Sequence, residues 1–186
     1  MREALAGLIE ASGLRVACFS SAQEFLLRPM DEAPACLVLD VRLPGGGGFD
    51  LQRELAAAGR EMPIIFITAH ADMSMAVRAM KAGAFEFLPK PIRAEDLLTA
   101  VWQALEGDRR ALVQRAELVR MRERRGRLTA RECQVMESIG HGRLNKQIAA
   151  ELGISENTVK AHRRHIMSKM GARSFAELVL MLERFP

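Results

Sequence analysis

The sequence predicts an α/β domain built on a parallel sheet, followed by a smaller all-α domain. Residues 1–105 alternate short β-rich runs with helical patterns, which is the rhythm of βα units. Beyond Gly126 no strand pattern returns. Charge follows the same division: the first 105 residues hold 10 Lys/Arg against 13 Asp/Glu, and the remainder hold 17 against 10. A mildly acidic part is therefore joined to a basic one. Basic charge at that density commonly meets a polyanion, although a solvated charged face has the same composition.

The chain has 186 residues, 49% of them hydrophobic, enough to fill one large core or two small ones. Its longest apolar runs, 64–67 and 178–182, fall far short of the roughly 20 residues a membrane span needs. The opening MREALAGLIE has the pattern of an amphipathic helix with an early glutamate, not of a signal peptide, so a cytoplasmic protein is expected. Cys18, Cys36 and Cys133 are odd in number and form no CxxC pair, which supports neither a disulfide frame nor a zinc site.

Taken in order, the predicted strands are LRVACF at 14–19, CLVLD at 36–40, PIIFI at 63–67 and AFEFL at 84–88. Helices are predicted at 21–28, 49–58, 72–82 and 93–106, the last two from apolar residues at three- and four-residue spacing. Residues 106–127, EGDRRALVQRAELVRMRERRGR, contain no proline and are dense in charge, with Leu105, Leu112 and Val119 seven apart. They predict a helical linker, and one heptad position flanked by arginines is thin support for a coiled coil. The expected division is 1–105, a linker at 106–127, and 128–186.

Thr129 and Glu132 form a T-x-x-E capping box that should start a helix ending near His141 and Gly142. A second helix, NKQIAAEL, starts near Asn145 and stops at Gly153. Ser155 is placed to cap a third, reaching about Met170, and Ser174 with Glu177 opens a last one over 174–185. Two helices joined by a short glycine-containing turn have the outline of a helix-turn-helix. At about 100° per residue, Val159, His162, Ile166 and Met170 share a face of the third helix that should be buried. The opposite face carries Asn157, Lys160, Ala161, Arg164 and Ser168. Long donors beside a methyl-sized side chain suit a major groove, and Lys146 at the start of the preceding helix is placed for phosphate. The DNA-binding candidates are Lys146, Asn157, Thr158, Lys160, Ala161 and Arg164. His162 and His165 stand three apart without a third metal ligand, so packing or DNA-facing roles fit them better.

The stretch GRLNKQIAAELGISENTVKAHRRHIMSKMGARS resembles the LuxR/NarL/FixJ-type DNA-binding domain. That resemblance implies reading of double-stranded DNA through Lys160, Ala161 and Arg164, and a last helix that pairs two copies into a homodimer on DNA.

In the N-terminal part, Asp40 ends a hydrophobic strand, and Thr68 and Lys90 follow the next two. Reactive groups gather at that edge of a parallel sheet. A carboxylate, a hydroxyl and an ammonium converging there are the equipment for holding a phosphoryl group: one accepts it, one bonds an oxygen and one pairs its charge. Gly45 to Gly48 lack a following GK[ST] and read as a flexible loop, not as a phosphate cradle.

Together LVLDVRLPG, FITAHAD and AFEFLPKPI resemble the response-regulator receiver domain, a flavodoxin-like, doubly wound parallel sheet. The resemblance implies Asp40 as acceptor from a sensor histidine kinase, Thr68, Phe87 and Lys90 as switch residues, a cis Lys90–Pro91 bond, and pairing through the face at 72–105. It also implies Mg2+. The sequence, however, opens at what would be the first helix, so the strand expected between 14–19 and 36–40 in the 2-1-3-4-5 order, with its acidic pair, does not precede it. Asp40 with the Arg42 carbonyl is then an incomplete Mg2+ site, and phosphorylation should be weak. Two explanations fit: a misassigned start, or a degenerate receiver whose output domain works without phosphorylation. A protein-interaction module and an aspartyl-phosphate hydrolase are the other classes. The hydrolase wants an acid two residues after Asp40, where Arg42 stands, and no enzyme is expected.

Overall fold

The computed structural model describes residues 1–29, 33–43, 46–69 and 73–184. The chain divides into two compact units, Met1–Leu112 and Val113–Pro186.

In the first unit, α1 (Arg2–Ala11) and α2 (Ala22–Leu27) precede strand β1 (Leu37–Asp40), a short β2–β3 pair (Arg42–Leu43 and Gly46–Gly47) and α3 (Gly48–Ala57). There follow β4 (Ile64–Thr68), α4 (Met73–Lys81), β5 (Glu86–Pro89) and α5 (Ala94–Gly126). The sheet is parallel in the order β1-β4-β5, with Leu39 opposite Phe66 and Phe66 opposite Phe87. All five residues of β4 are buried, because a middle strand in a parallel sheet is covered on both faces. Its side chains divide by the strand period of two: Ile64 and Phe66 join Phe25, Leu51, Leu55 and Ala79 from α2, α3 and α4. Ile65 turns the other way, to Ile9, Leu97, Ala100, Val101 and Ala104 from α1 and α5. Helices on both faces give the doubly wound architecture that the alternation of elements predicts.

Segment 14–19 is not a strand. Leu14 and Val16 pack against the cluster between α1, α5 and the sheet, so its alternating hydrophobicity is used. A ladder also needs a neighbour to exchange main-chain hydrogen bonds. Among the described residues no strand lies beside it, and β1 pairs with β4 alone. The glycines differ from expectation too. Gly46 and Gly47 pair with Arg42 and Leu43, and Gly48 opens α3, in place of a flexible loop; Gly45 lies outside the described residues. Gly48 is needed for close approach: a Cβ there would stand 2.5 Å from the Asp40 carbonyl oxygen and 3.0 Å from Phe66 Cε1. The Gly48 N–H donates to the Val41 carbonyl at 2.9 Å, which holds the start of α3 against the end of β1.

Helix α5 continues without a break through the segment expected as a linker, to Gly126. Along it Asp108, 5% exposed, accepts the Ala35 N–H at 2.9 Å and ties the helix to the chain entering β1. Burial, with Asp108 nearby, pushes the Cys36 thiol up to about 11. The cysteines form no disulfide.

The second unit is helical: α6 (Ala130–Gly140), α7 (Asn145–Leu152), α8 (Glu156–Met170) and α9 (Phe175–Arg184). Its core joins Val135, Ile139, Ile148, Val159, Ile166, Met170 and Leu178 from all four helices, with Met121 from α5. The capping box forms as expected: Thr129 Oγ1 accepts the Glu132 N–H at 3.2 Å, and Glu132 Oε2 accepts the Thr129 N–H at 2.7 Å. Ser174 Oγ accepts the Glu177 N–H, but the returning carboxylate takes the Arg173 N–H instead of that of Ser174.

Buried Glu132 also receives Lys169 Nζ of α8 at 2.6 Å. That ammonium first, and the Thr129 N–H second, hold its carboxyl down to about 2 from an ordinary 4.5. A depressed carboxylate contributes stability that is fully present above its unfolded pKa and is lost as pH falls through the folded one. Glu132→Gln is therefore expected to lower the stability of this unit by about 1–3 kcal/mol at neutral pH, by leaving the Lys169 charge without its partner. The difference from wild type should shrink as pH falls from 4.5 towards 2, in denaturation followed by circular dichroism. A difference independent of pH would mean that packing, not charge, carries the effect.

Candidate functional site

Parallel strands present their C-terminal ends on one edge of the sheet, and three residues expected at a site stand at strand ends there. Asp40 ends β1, Thr68 ends β4 and Lys90 follows β5. Lys90 Nζ lies 2.5 Å from Asp40 Oδ2, with the two side chains 15% and 29% exposed. The Arg42 N–H donates to Asp40 Oδ1 at 2.9 Å, so both carboxylate oxygens are engaged. Thr68 is buried, and its carbonyl accepts the Lys90 N–H at 2.7 Å, which fixes the lysine backbone beside β4. Phe87 is half-buried and packs on the core formed with α3 and α4. The Lys90–Pro91 bond is cis. A charged, partly exposed carboxylate with an ammonium at contact distance can act as a nucleophile toward phosphorus and can then keep the product's charge paired.

The donors here do not fit a Mg2+ ion, which demands near-octahedral oxygen ligation. Among the described residues no group of three His, Cys, Asp or Glu is placed to hold a metal, and one Asp40 oxygen is already held by Lys90.

The second constellation is on α8. Gly153, at φ 65° and ψ 36°, ends α7 in the left-handed region that glycine adopts without strain. Ser155 then caps α8, accepting the Thr158 N–H at 3.1 Å. This turn points one face of α8 outward. Asn157, Lys160, Arg164 and Ser168 are exposed, and the first three make no hydrogen bond or ion pair among the described residues. Ala161 is half-buried beside them, and Lys146 is exposed in the first turn of α7. The Thr158 hydroxyl lies 2.8 Å from Ser155 Oγ, which assigns it to the cap as well as to the surface. On the inner face Val159, Ile166 and Met170 are buried as expected, whereas His162 is only half-buried. His165 Nδ1 lies 4.0 Å from Glu132 Oε1, in the surroundings of the capping box.

Helical periodicity did not reveal Arg163. Its Nη1 donates to Asn145 Oδ1 at 2.6 Å and its guanidinium lies 3.9 Å from the centre of the Phe175 ring. Burial pushes its pKa down. The side chain thereby joins the starts of α7 and α9 to the middle of α8. A basic residue beside two other basic positions gives no sequence signal for such a role.

Comparison with known proteins identifies a family for each part of the chain. Residues 1–102 match the family described as response regulator receiver domain, and residues 127–182 match bacterial regulatory proteins of the luxR family. Nodulation protein W of Bradyrhizobium diazoefficiens is 48% identical over 183 residues, covering 98% of this chain and 81% of that protein. The response regulator protein TmoT of Ectopseudomonas mendocina is 47% identical, covering 98% and 83%. Among solved structures, the response regulator StyR aligns with a TM-score of 0.87 at 45% identity, over 100% of this chain and 93% of that one. Full-length FixJ from B. japonicum aligns at 0.58 and 37% identity, over 99% and 91%.

Proposed function

The chain belongs to the response-regulator family, as a receiver domain joined to a LuxR-type DNA-binding domain, and from that premise we propose how its residues divide the work. It is a two-component, DNA-binding transcriptional regulator. Asp40 is the phosphoryl acceptor. A carboxylate oxygen attacks the phosphorus of a kinase phosphohistidine, the N–P bond breaks, and an acyl phosphate forms. Lys90 passes from the carboxylate to the phosphoryl oxygens, the Thr68 hydroxyl bonds another, and Phe87 follows Thr68 inward. Mg2+ in this family supplies charge neutralisation at that step, and the described donors hold it poorly.

On the output side α8 enters the major groove of double-stranded DNA. Lys160 and Arg164 bond base edges, Ala161 offers a methyl to thymine, Asn157 and Thr158 flank them, and Lys146 takes a phosphate. The observation that carries this reading is the outward face of α8, where long donors stand exposed and, among the described residues, unpaired. Copies pair through α9, whose Leu180 is 62% exposed, and through the α4 stripe of Met73, Val77 and Met80.

The full chain is expected to retain duplexes from a randomised pool. Affinity for the selected duplex should fall linearly with salt on log-log axes, by about 0.9 per phosphate neutralised. Lys146→Ala should lower that slope by about one while leaving the preferred sequence unchanged. Failure to retain any duplex would overturn the reading of α8. An unchanged slope would move the phosphate contact away from Lys146.

A further inference from the structure

Two residues of α5, outside the matched region of 127–182, contact the helices of the second unit. Met121, 8% exposed, is part of the core with Ile148, Val159, Ile166 and Met170. One turn further on, Arg124 Nη1 donates to the Met170 carbonyl at 2.9 Å. Met170 is the last residue of α8, and Gly171 after it takes φ 71° and ψ 24°. A Cβ at Gly171 would stand 3.1 Å from both Cζ and Nη1 of Arg124, so the guanidinium lies directly over the cap. The last carbonyls of a helix have no partner within it and carry the negative end of its dipole, which favours a cation there.

We propose that Arg124 is a positioning residue for DNA recognition: from the last turn of α5 it holds the C-terminal end of α8. The proposal rests on the reading of α8 given above. Arg164 lies six residues before Met170, about 9 Å along the axis. A helix released at that end tilts on its buried Val159 and Ile166, and its outward donors lose register with base edges. Contacts to phosphate tolerate such a tilt far better, since they carry no sequence information. Arg124 should therefore govern discrimination between sequences more than attachment to DNA.

The test uses the full chain, a duplex that the wild type selects from a randomised pool, and a scrambled duplex of equal length and composition. Below the unfolding transition, Arg124→Ala is expected to lower the ratio of selected to scrambled affinity about tenfold, with the salt slope on the selected duplex unchanged. Arg124→Lys keeps the charge and one donor and should recover most of the ratio. Gly171→Ala crowds the same guanidinium from the α8 side and should lower the ratio too, which covers the case of an Arg124→Ala chain that fails to fold. Equal losses on both duplexes with a slope smaller by about one would mean that Arg124 touches phosphate itself. An unchanged ratio with a lower melting temperature would mean that it only stabilises the unit. Either result overturns the proposal. If the wild type selects no duplex, the reading of α8 falls, and this proposal with it.

Discussion

Replacing Lys160 and Arg164 together by alanine is expected to weaken binding of the selected duplex by about thirtyfold to twenty-thousandfold, since each good base-edge pair contributes about 1–3 kcal/mol of discrimination. The two side chains stand on the same outward face of α8, four residues apart, so both reach one groove in one docking pose. Both are exposed and hold no partner among the described residues. Surface changes of that kind leave stability within about 0.5 kcal/mol, so the loss belongs to recognition and not to unfolding. A mobility shift beside a circular-dichroism melt separates the two. Near-wild-type affinity in the double variant would place base reading on another surface.

Asp40→Asn is expected to remove all covalent label that the full chain takes from radiolabelled acetyl phosphate supplied with Mg2+. An amide keeps the shape of the carboxylate and still accepts the Arg42 N–H, but it cannot form the acyl phosphate. The same change leaves Lys90, 15% exposed, facing a neutral group. Loss of that largely covered pair costs about 1–3 kcal/mol, because it leaves the Lys90 charge without its partner. A melting curve serves as the control. Label that persists in the variant would make another residue the acceptor, and a wild type that takes no label would leave Asp40 as a structural anion paired with Lys90.

Sequence periodicity located the elements that bury their own side chains. Strand β4 was legible from PIIFI because a strand covered on both faces needs continuous hydrophobicity. Thr129 with Glu132, and Gly153 with Ser155, were legible because capping and left-handed turns are local chemistry, decided within four residues. The outward face of α8 followed from the same local rule. Segment 14–19 misled because its alternation records side-chain burial, while a strand also needs a partner that the segment itself cannot specify. Gly48 was one glycine among four in a row, and only the packed fold distinguishes the one with no room for a Cβ. Arg124 and Arg163 read as ordinary basic positions because their partners are a carbonyl 46 residues away and an amide 18 residues away.

The place of Met121 in the core bears on how such regulators can be recombined. A graft of the output module onto a foreign sensor, cut where the luxR-family match begins at residue 127, would leave behind both a methionine of its core and the arginine over Gly171. The transferable piece starts upstream, at Val113 by compactness. A seam there falls inside α5, so a chimera must keep its helical phase across the join, because one inserted residue turns everything after it by about 100° about the helix axis. Interchangeable parts in this architecture are thus joined through a shared helix, and the grammar of exchange is counted in helical turns instead of domain ends.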